Sequence, residues 1–162
     1  MTPMELLGVR VEVPANTPMV LLQSQLDDQR LLPIYIGSPE ASSIHYAIEG
    51  IVPPRPLTHD LFVDVLGRLG TELERVVITE VRDHTYYAQL HLSVSGTPQV
   101  VDCRPSDAIA LAVRAGAQIF ADDDLLDEVG QIPEADDEDE AEEIIDEFKD
   151  FIESVSPEDF AS

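Results

Sequence analysis

Hydrophobic and polar positions follow two periods along the chain, and the change between them marks the predicted elements. Alternation with a period of two predicts strands over residues 6–13, 19–22, 31–36, 73–81, 85–94, 99–103 and 118–121. Apolar positions three and four residues apart predict helices over residues 38–49, 59–69 and 106–115, and a short helix reaches Val129. Because the strands fall in antiparallel runs with helices interspersed, the pattern predicts an α+β domain with a largely antiparallel or mixed sheet and helices packed on it.

Three of these elements carry specific expectations. Pro33 lies inside the third strand, which predicts an edge position or a bulge, and an edge near Leu31 is a surface for pairing across a two-fold axis. Ser38 and Thr58 are the predicted N-caps of the first two helices. The apolar residues of the second helix recur at helical spacing and are expected to face the core: Leu61, Phe62, Val65, Leu66 and Leu69.

One segment joins a strand, a turn and an apolar helix without a gap, from Val101 to Gly116. It places Arg104, Ser106 and Asp107 beside a helix N-terminus, where backbone N–H groups favour an anion. A purely structural interpretation stands beside this one. In it, Ser106 caps the helix, Asp107 complements the helix dipole and Arg104 neutralises a neighbouring charge.

Charge limits the partners that this domain can bind. The chain has 33 acidic and 9 basic residues, a net charge of −24, and residues 1–130 alone hold 19 acidic against 8 basic. A broad nucleic-acid-binding surface is not expected, because such surfaces rest on Lys and Arg neutralising phosphates. Any anion site is therefore expected to be small and local.

The compartment is predicted from two features. Cys103 is the only cysteine, so no disulfide forms within the chain and a reducing cytoplasm is the expected location. No apolar run approaches the roughly 20 residues that cross a bilayer, and the first residues lack the pattern of a signal peptide. No membrane association is expected.

The composition changes after residue 130 and predicts three segments. Residues 1–130 form the α+β domain, residues 131–140 an acidic linker, and residues 141–162 an amphipathic acidic C-terminal helix. This helix has three open uses, since it can dock on its own domain, join a subunit interface or bind the groove of a protein partner. An acidic polar face disfavours anionic lipid.

Three long blocks carry a family resemblance: residues 32–61, 74–92 and 104–120, the last reading RPSDAIALAVRAGAQIF. In these blocks the chain resembles the bifunctional nuclease domain family, and its acidic tail is similar to that of the actinobacterial branch. The resemblance implies a compact α+β domain, a homodimer and nuclease activity on DNA and RNA. Residues 42–46 depart from the small and acidic residues that relatives tend to have there.

The residues themselves offer the groups that a metal-dependent phosphodiesterase needs: carboxylates for Mg²⁺ or Mn²⁺, a base, and a cation for the phosphate. The candidate catalytic residues are Arg104, Asp107, His59 and Asp60, with His45 as another base. The candidate substrate-binding residues are Arg55, Ser106 and Thr58. The candidate metal ligands are Asp107, Asp60, Glu49 and Glu40. The account requires Arg104 and Asp107 to share a hollow with the loop that carries Arg55, His59 and Asp60.

A second interpretation stays open for most of these groups. His59 and Asp60 are then first-turn polar residues beside a cap, Glu49 pairs with Arg55, and Cys103 is a small core residue. The alternative function is a non-catalytic regulatory module that binds a ligand or a protein, with the acidic tail as its interaction segment.

Overall fold

The fold was analysed in a computed structural model that describes residues 1–133. Seven strands and four helices follow one another in this part of the chain. Their bounds are β1 (Thr2–Glu12), β2 (Thr17–Ser24), β3 (Leu31–Tyr35), α1 (Ser38–Ile48), α2 (Thr58–Arg68), β4 (Thr71–Arg82), β5 (Thr85–Val94), β6 (Thr97–Cys103), α3 (Pro105–Ala115), β7 (Gln118–Ala121) and α4 (Asp123–Val129). The predicted α+β class is confirmed, whereas the C-terminal helix predicted over residues 141–162 lies outside the described residues.

All seven strands form one mixed sheet in the order β3-β2-β1-β7-β4-β5-β6. Only β4 and β7 pair in parallel; the other neighbours are antiparallel. The β4–β5 hairpin turns at Asp83 and His84, and the β5–β6 hairpin at Ser95 and Gly96, all with positive φ. Such paired left-handed residues match the twist of the flanking strands, which explains why these hairpins need only two-residue turns.

The predicted edge position of Pro33 is confirmed, since β3 is an edge strand of the sheet. At Leu31, however, this edge is already occupied. The Leu31 N–H donates to the Gln131 carbonyl at 2.7 Å, and the Gln131 N–H donates back at 2.8 Å. Pairing with another chain would therefore have to leave these two hydrogen bonds intact or replace them.

One core lies between the sheet and its helices. Val76 and Ile78 of β4 and Ile109 of α3 are fully buried in it, together with Ile44 of α1. The central helix α3 buries seven of the eight positions from Pro105 to Ala112, all except Asp107. Because both faces of α3 are apolar, this helix lies beneath α1 and α2 and sets the positions of both.

The prediction for α2 is wrong for four of its five apolar residues. Leu61, Phe62, Val65 and Leu69 remain 42% to 68% exposed, and no residue of α2 is fully buried. Leu66 contacts the core as predicted, together with Val63. The α2 helix packs on α3 through the side that carries these two residues, so the side that carries the other four faces outward.

The N-caps also differ from the prediction by one or two residues. Gly37, Leu57 and Arg104 occupy the cap positions of α1, α2 and α3, and none of the three makes a side-chain cap hydrogen bond. The predicted cap residues Ser38 and Thr58 are the first residues of their helices instead.

None of the helices in residues 1–133 is long and apolar enough to cross a membrane.

Candidate functional site

The turn before α3 holds Arg104 against two carboxylates. The Arg104 Nε donates to Oδ2 of Asp107 at 2.9 Å and its Nη2 donates to Oδ1 at 3.2 Å, a two-point pairing within one turn of helix. The Nη1 donates to Oε1 of Glu40 in α1 at 3.2 Å. The Arg104 side chain remains 63% exposed, so this cation bridges α1 and α3 and is still accessible to solvent.

His59 joins α2 to the same group. Its Nε2 lies 2.9 Å from Oδ1 of Asp107, and its Nδ1 lies 2.6 Å from Oγ of Ser43 in α1. Burial acts to raise the pKa of Asp107, but the hydrogen bonds from Arg104 and His59 outweigh it and hold that pKa below its ordinary value. Asp107 is therefore an acceptor only, so Nε2 carries a hydrogen, and in neutral His59 the Nδ1 accepts the Ser43 hydroxyl.

Arg114, in the last turn of α3, fixes the three helices relative to one another. Its Nε donates to Oδ1 of Asp60 at 2.7 Å, its Nη2 to the Ser43 carbonyl at 3.0 Å and its Nη1 to the Ala110 carbonyl at 3.0 Å. The Arg114 side chain is only 8% exposed. Because one guanidinium contacts α1, α2 and α3, it holds Ser43 and the start of α2 at the spacing that His59 bridges.

Arg104, Asp107 and His59 line one open cleft of about 430 Å³. The cleft lies where α1 meets the N-termini of α2 and α3, and two helix N-termini are a favourable environment for an anion. Its lining residues are Pro39, Glu40, Ser42, Ser43, Tyr46, Leu57, Thr58, His59, Arg104 and Asp107.

The structure brings part of the predicted set together. His59, Arg104, Asp107, Thr58 and Glu40 line the cleft. The others lie elsewhere in the domain. Ser106 is buried in the first turn of α3, Asp60 pairs with Arg114, and Glu49, Arg55 and His45 are exposed residues outside the cleft lining.

Asp60 has a structural environment. Its Oδ2 accepts the Leu57 N–H at 2.9 Å, which closes the start of α2, while Oδ1 accepts Arg114. The Arg114 hydrogen bond, opposed by partial burial, lowers the pKa of Asp60 from its ordinary 3.8. Within residues 1–133 no ion pair joins Glu49 to Arg55, the pairing that the sequence offered as an alternative.

The predicted metal ligands do not converge. Among the described residues, no three Asp, Glu, His or Cys side chains are grouped so that they could hold a metal ion. Both oxygens of Asp107 already accept hydrogen bonds, one of them from two donors, and Glu40 shares the same Arg104. A divalent cation would have to displace a guanidinium to reach these carboxylates, so the set as arranged does not fit Mg²⁺ or Mn²⁺.

Three residues of this region were not singled out as functional by the sequence. Ser43 and Tyr46 lie one helical turn apart on α1, and the only sequence signal was the unusual polar and aromatic run at residues 42–46. Arg114 is the lone charged side chain in the last turn of an apolar helix. A buried cation on such a helix needs a carboxylate, but the sequence does not indicate which one.

Comparison with known proteins adds a family to this geometry. The profile of the family described as Bifunctional nuclease domain matches residues 20–134, a range that includes every residue lining the cleft. An uncharacterized protein of Mycobacterium tuberculosis is 41% identical over 158 residues, 94% of each chain. Bifunctional nuclease 1 of Arabidopsis thaliana is 30% identical over 103 residues, which is 62% of this chain and 32% of the plant protein. Bifunctional nuclease 2 of Oryza sativa subsp. japonica is 29% identical over 115 residues, 69% of this chain and 35% of its own length.

Proposed function

The chain belongs to the bifunctional nuclease domain family, and on this premise we propose that its cleft hydrolyses phosphodiester bonds of DNA or RNA. The observation that supports this proposal is the hydrogen-bonded series Ser43–His59–Asp107–Arg104, drawn from three helices into one cleft. A proton acceptor, His59, and a cation, Arg104, therefore line the same cleft. The plant relatives that carry the name bifunctional nuclease support the activity class.

In this proposal His59 moves the proton. Its Nε2–H stays on Asp107, which orients the ring and stabilises the imidazolium that forms. Its Nδ1 takes the proton of the Ser43 hydroxyl as that hydroxyl takes one from the attacking water. The leaving oxygen departs on the opposite side of phosphorus, so it takes its proton from solvent in the open cleft, and the imidazolium gives its proton back to solvent after the bond has broken.

Arg104 acts on the phosphate. A guanidinium offers several donors in a fixed plane and pairs with phosphate oxygens at two points. Its solvent-facing side is open, and charge that builds up on the phosphate in the transition state strengthens this contact. Glu40 and Asp107 hold the guanidinium in place before the substrate arrives.

The dependence on a divalent metal stays a prediction, and the carboxylates are not arranged to bind one. Because Arg104 already pairs with Asp107 and Glu40, we expect cleavage to continue in the presence of a chelator, and no step above requires a metal. The assay therefore has three arms, with EDTA, with Mg²⁺ and with Mn²⁺. Activity that appears only with a metal would show that Arg104 gives up its carboxylates to the cation.

A second candidate function is binding without catalysis. The observation that favours it is that Arg104 already pairs with the carboxylates of Glu40 and Asp107. Such a network of ion pairs can serve to hold the helices together without taking part in a reaction. In this case the cleft binds a ligand and no phosphodiester bond breaks. The acidic tail would then be the segment that contacts a protein partner.

The experiment compares the cleavage of a fluorescent single-stranded oligonucleotide by the full chain, His59→Gln and His45→Gln. His45 is an exposed histidine of α1 outside the cleft lining, so it is a matched control for expression and purity. Loss of a general acid–base group costs about a hundred- to ten-thousandfold in rate. We expect such a loss for His59→Gln and none for His45→Gln. Equal rates in all three proteins would identify a contaminating nuclease.

A further inference from the structure

The cleft lining includes one tyrosine ring, that of Tyr46, and one solvent-facing cation, that of Arg104. We propose that it takes one nucleotide unit at a time, with the base against the Tyr46 ring and the phosphate on Arg104. The substrate class is then a nucleoside monophosphate unit, either free or in a single strand. This inference rests on the proposed function and names the substrate of the same site.

Size is the first argument. A cleft of about 430 Å³ lies within the range of pockets that hold one small ligand. In a duplex the bases are stacked and paired, and a protein reaches a base face only after the base has been turned out. A single strand or a strand end presents its bases unstacked, so it can enter this cleft directly.

Charge is the second argument. Residues 1–130 hold 19 acidic and 8 basic residues, and five of these eight arginines are already in ion pairs: Arg30, Arg68, Arg82, Arg104 and Arg114. A long polyanion would gain few phosphate contacts on such a surface. Arg104 is the only arginine in the cleft lining, so the cleft offers a cation to one phosphate group.

A phosphate group alone binds weakly in this cleft. Arg104 shares its donors with Glu40 and Asp107, and two nearby carboxylates repel an anion. Binding therefore needs an uncharged contribution. The Tyr46 ring supplies it, since it is 38% exposed and lies on the same side of α1 as Ser43, three residues earlier.

The test is isothermal titration of the full chain with 2′-deoxyadenosine 5′-monophosphate, inorganic phosphate, a single-stranded tetranucleotide and a blunt duplex of the same sequence. Stacking of one base on an aromatic ring changes affinity by about five- to a hundredfold. We expect the nucleotide to bind at least fivefold tighter than inorganic phosphate and the single strand to bind tighter than the duplex. If the nucleotide binds and the single strand does not, the source is the free nucleotide; if both bind, the unit is also taken from a strand.

The variants assign this difference to the ring. Tyr46→Leu should bind the nucleotide no better than it binds phosphate, whereas Tyr46→Phe, which keeps the ring, should bind it like the wild type. Circular dichroism and thermal unfolding check that Tyr46→Leu is folded. Equal affinity for nucleotide and phosphate, unchanged binding by folded Tyr46→Leu, or equal binding of the duplex would each overturn the inference.

The two proposals fail in different ways. Nucleotide binding that depends on Tyr46, without any cleavage, would overturn the proposed hydrolysis and leave the ligand class standing. Cleavage that depends on His59 but not on Tyr46, with equal use of duplex and single strand, would overturn the ligand class and leave the hydrolysis standing.

Discussion

His59 and Asp107 lie 48 positions apart in the chain, and the imidazole Nε2 of one is 2.9 Å from the carboxylate Oδ1 of the other. The two residues belong to the first turns of α2 and α3. Their contact therefore depends on how these helices pack. It assembles a proton-accepting ring and an oriented cation from segments that carry no motif on their own.

Arg114 is the residue whose loss should disturb this packing most. We expect Arg114→Met to lower the free energy of unfolding by about 3 kcal/mol, because it leaves the partly buried Oδ1 of Asp60 without its donor and removes the hydrogen bond to the Ser43 carbonyl. Arg68→Met is the control, since its exposed pair with Asp64 contributes less than about 1 kcal/mol. Chemical denaturation of both variants measures the difference. A similar small loss in both would mean that Arg114 does not hold the helices together.

The same pair gives the domain an acid sensitivity. The folded-state pKa of Asp60 lies below its ordinary 3.8, so its contribution to stability is complete above that pH. The contribution is lost as the pH falls through the lowered folded pKa. Asp60→Asn should therefore be less stable than the wild type at pH 6, and the gap should narrow below about pH 4. A gap that does not change with pH would contradict the pairing.

Much of the fold is predictable because it is local. The β5 and β7 strands coincide with the predicted ranges, and α3 ends at Gly116, as predicted. Turn residues and alternation act over fewer than ten positions, and the sequence states them directly. The outward side of α2 was missed because spacing groups residues on a side without saying what covers that side.

The candidate site was predictable only in part, and for the same reason. Arg104 and Asp107 share one turn, so their proximity follows from the helix start. The addition of His59 was a hypothesis that only tertiary packing could decide. Ser43 was missed because a serine within a helix is usually a surface residue without a specific partner. Here the packing of α2 against α1 brings His59 to its hydroxyl.

Gly116 tests the local structure at the end of α3. Its φ of 67° is left-handed, so Gly116→Ala should lower stability by about 1 kcal/mol. Gly67 lies inside α2 and an added Cβ meets no atom within 4 Å there. Gly67→Ala should therefore raise stability by about 0.5 to 1 kcal/mol. Thermal unfolding that shifts both variants in the same direction would contradict these backbone assignments.

Cys103 should be a slow thiol. Burial, with the nearby charges of Asp107 and Asp102, raises its pKa to about 12, so little thiolate is present at neutral pH. We expect alkylation by iodoacetamide at pH 7.5 to be about a thousandfold slower than for a free cysteine, and to speed up as the pH rises. Unfolding in urea should restore the ordinary rate. The cytoplasmic location predicted from this single cysteine stays a prediction.

The homodimer implied by the family resemblance also stays a prediction, and α2 provides the surface on which to test it. Phe62 lies on the exposed apolar side of this helix with Leu61, Val65 and Leu69. Exposed apolar patches of this kind mark contact surfaces. Light scattering should report a dimer for the wild type and for Leu26→Lys, an exposed leucine elsewhere, and a monomer for Phe62→Lys. A wild-type monomer would contradict it.

The most direct test of the catalytic account is the rate of single-strand cleavage in EDTA by the wild type, Asp107→Asn and Glu49→Gln. Asp107 orients His59 and Arg104, whereas Glu49 is a carboxylate outside the cleft that the sequence offered as a metal ligand. The account predicts that Asp107→Asn lowers the rate at least about a hundredfold and that Glu49→Gln leaves it unchanged. Equal rates for wild type and Asp107→Asn would contradict it.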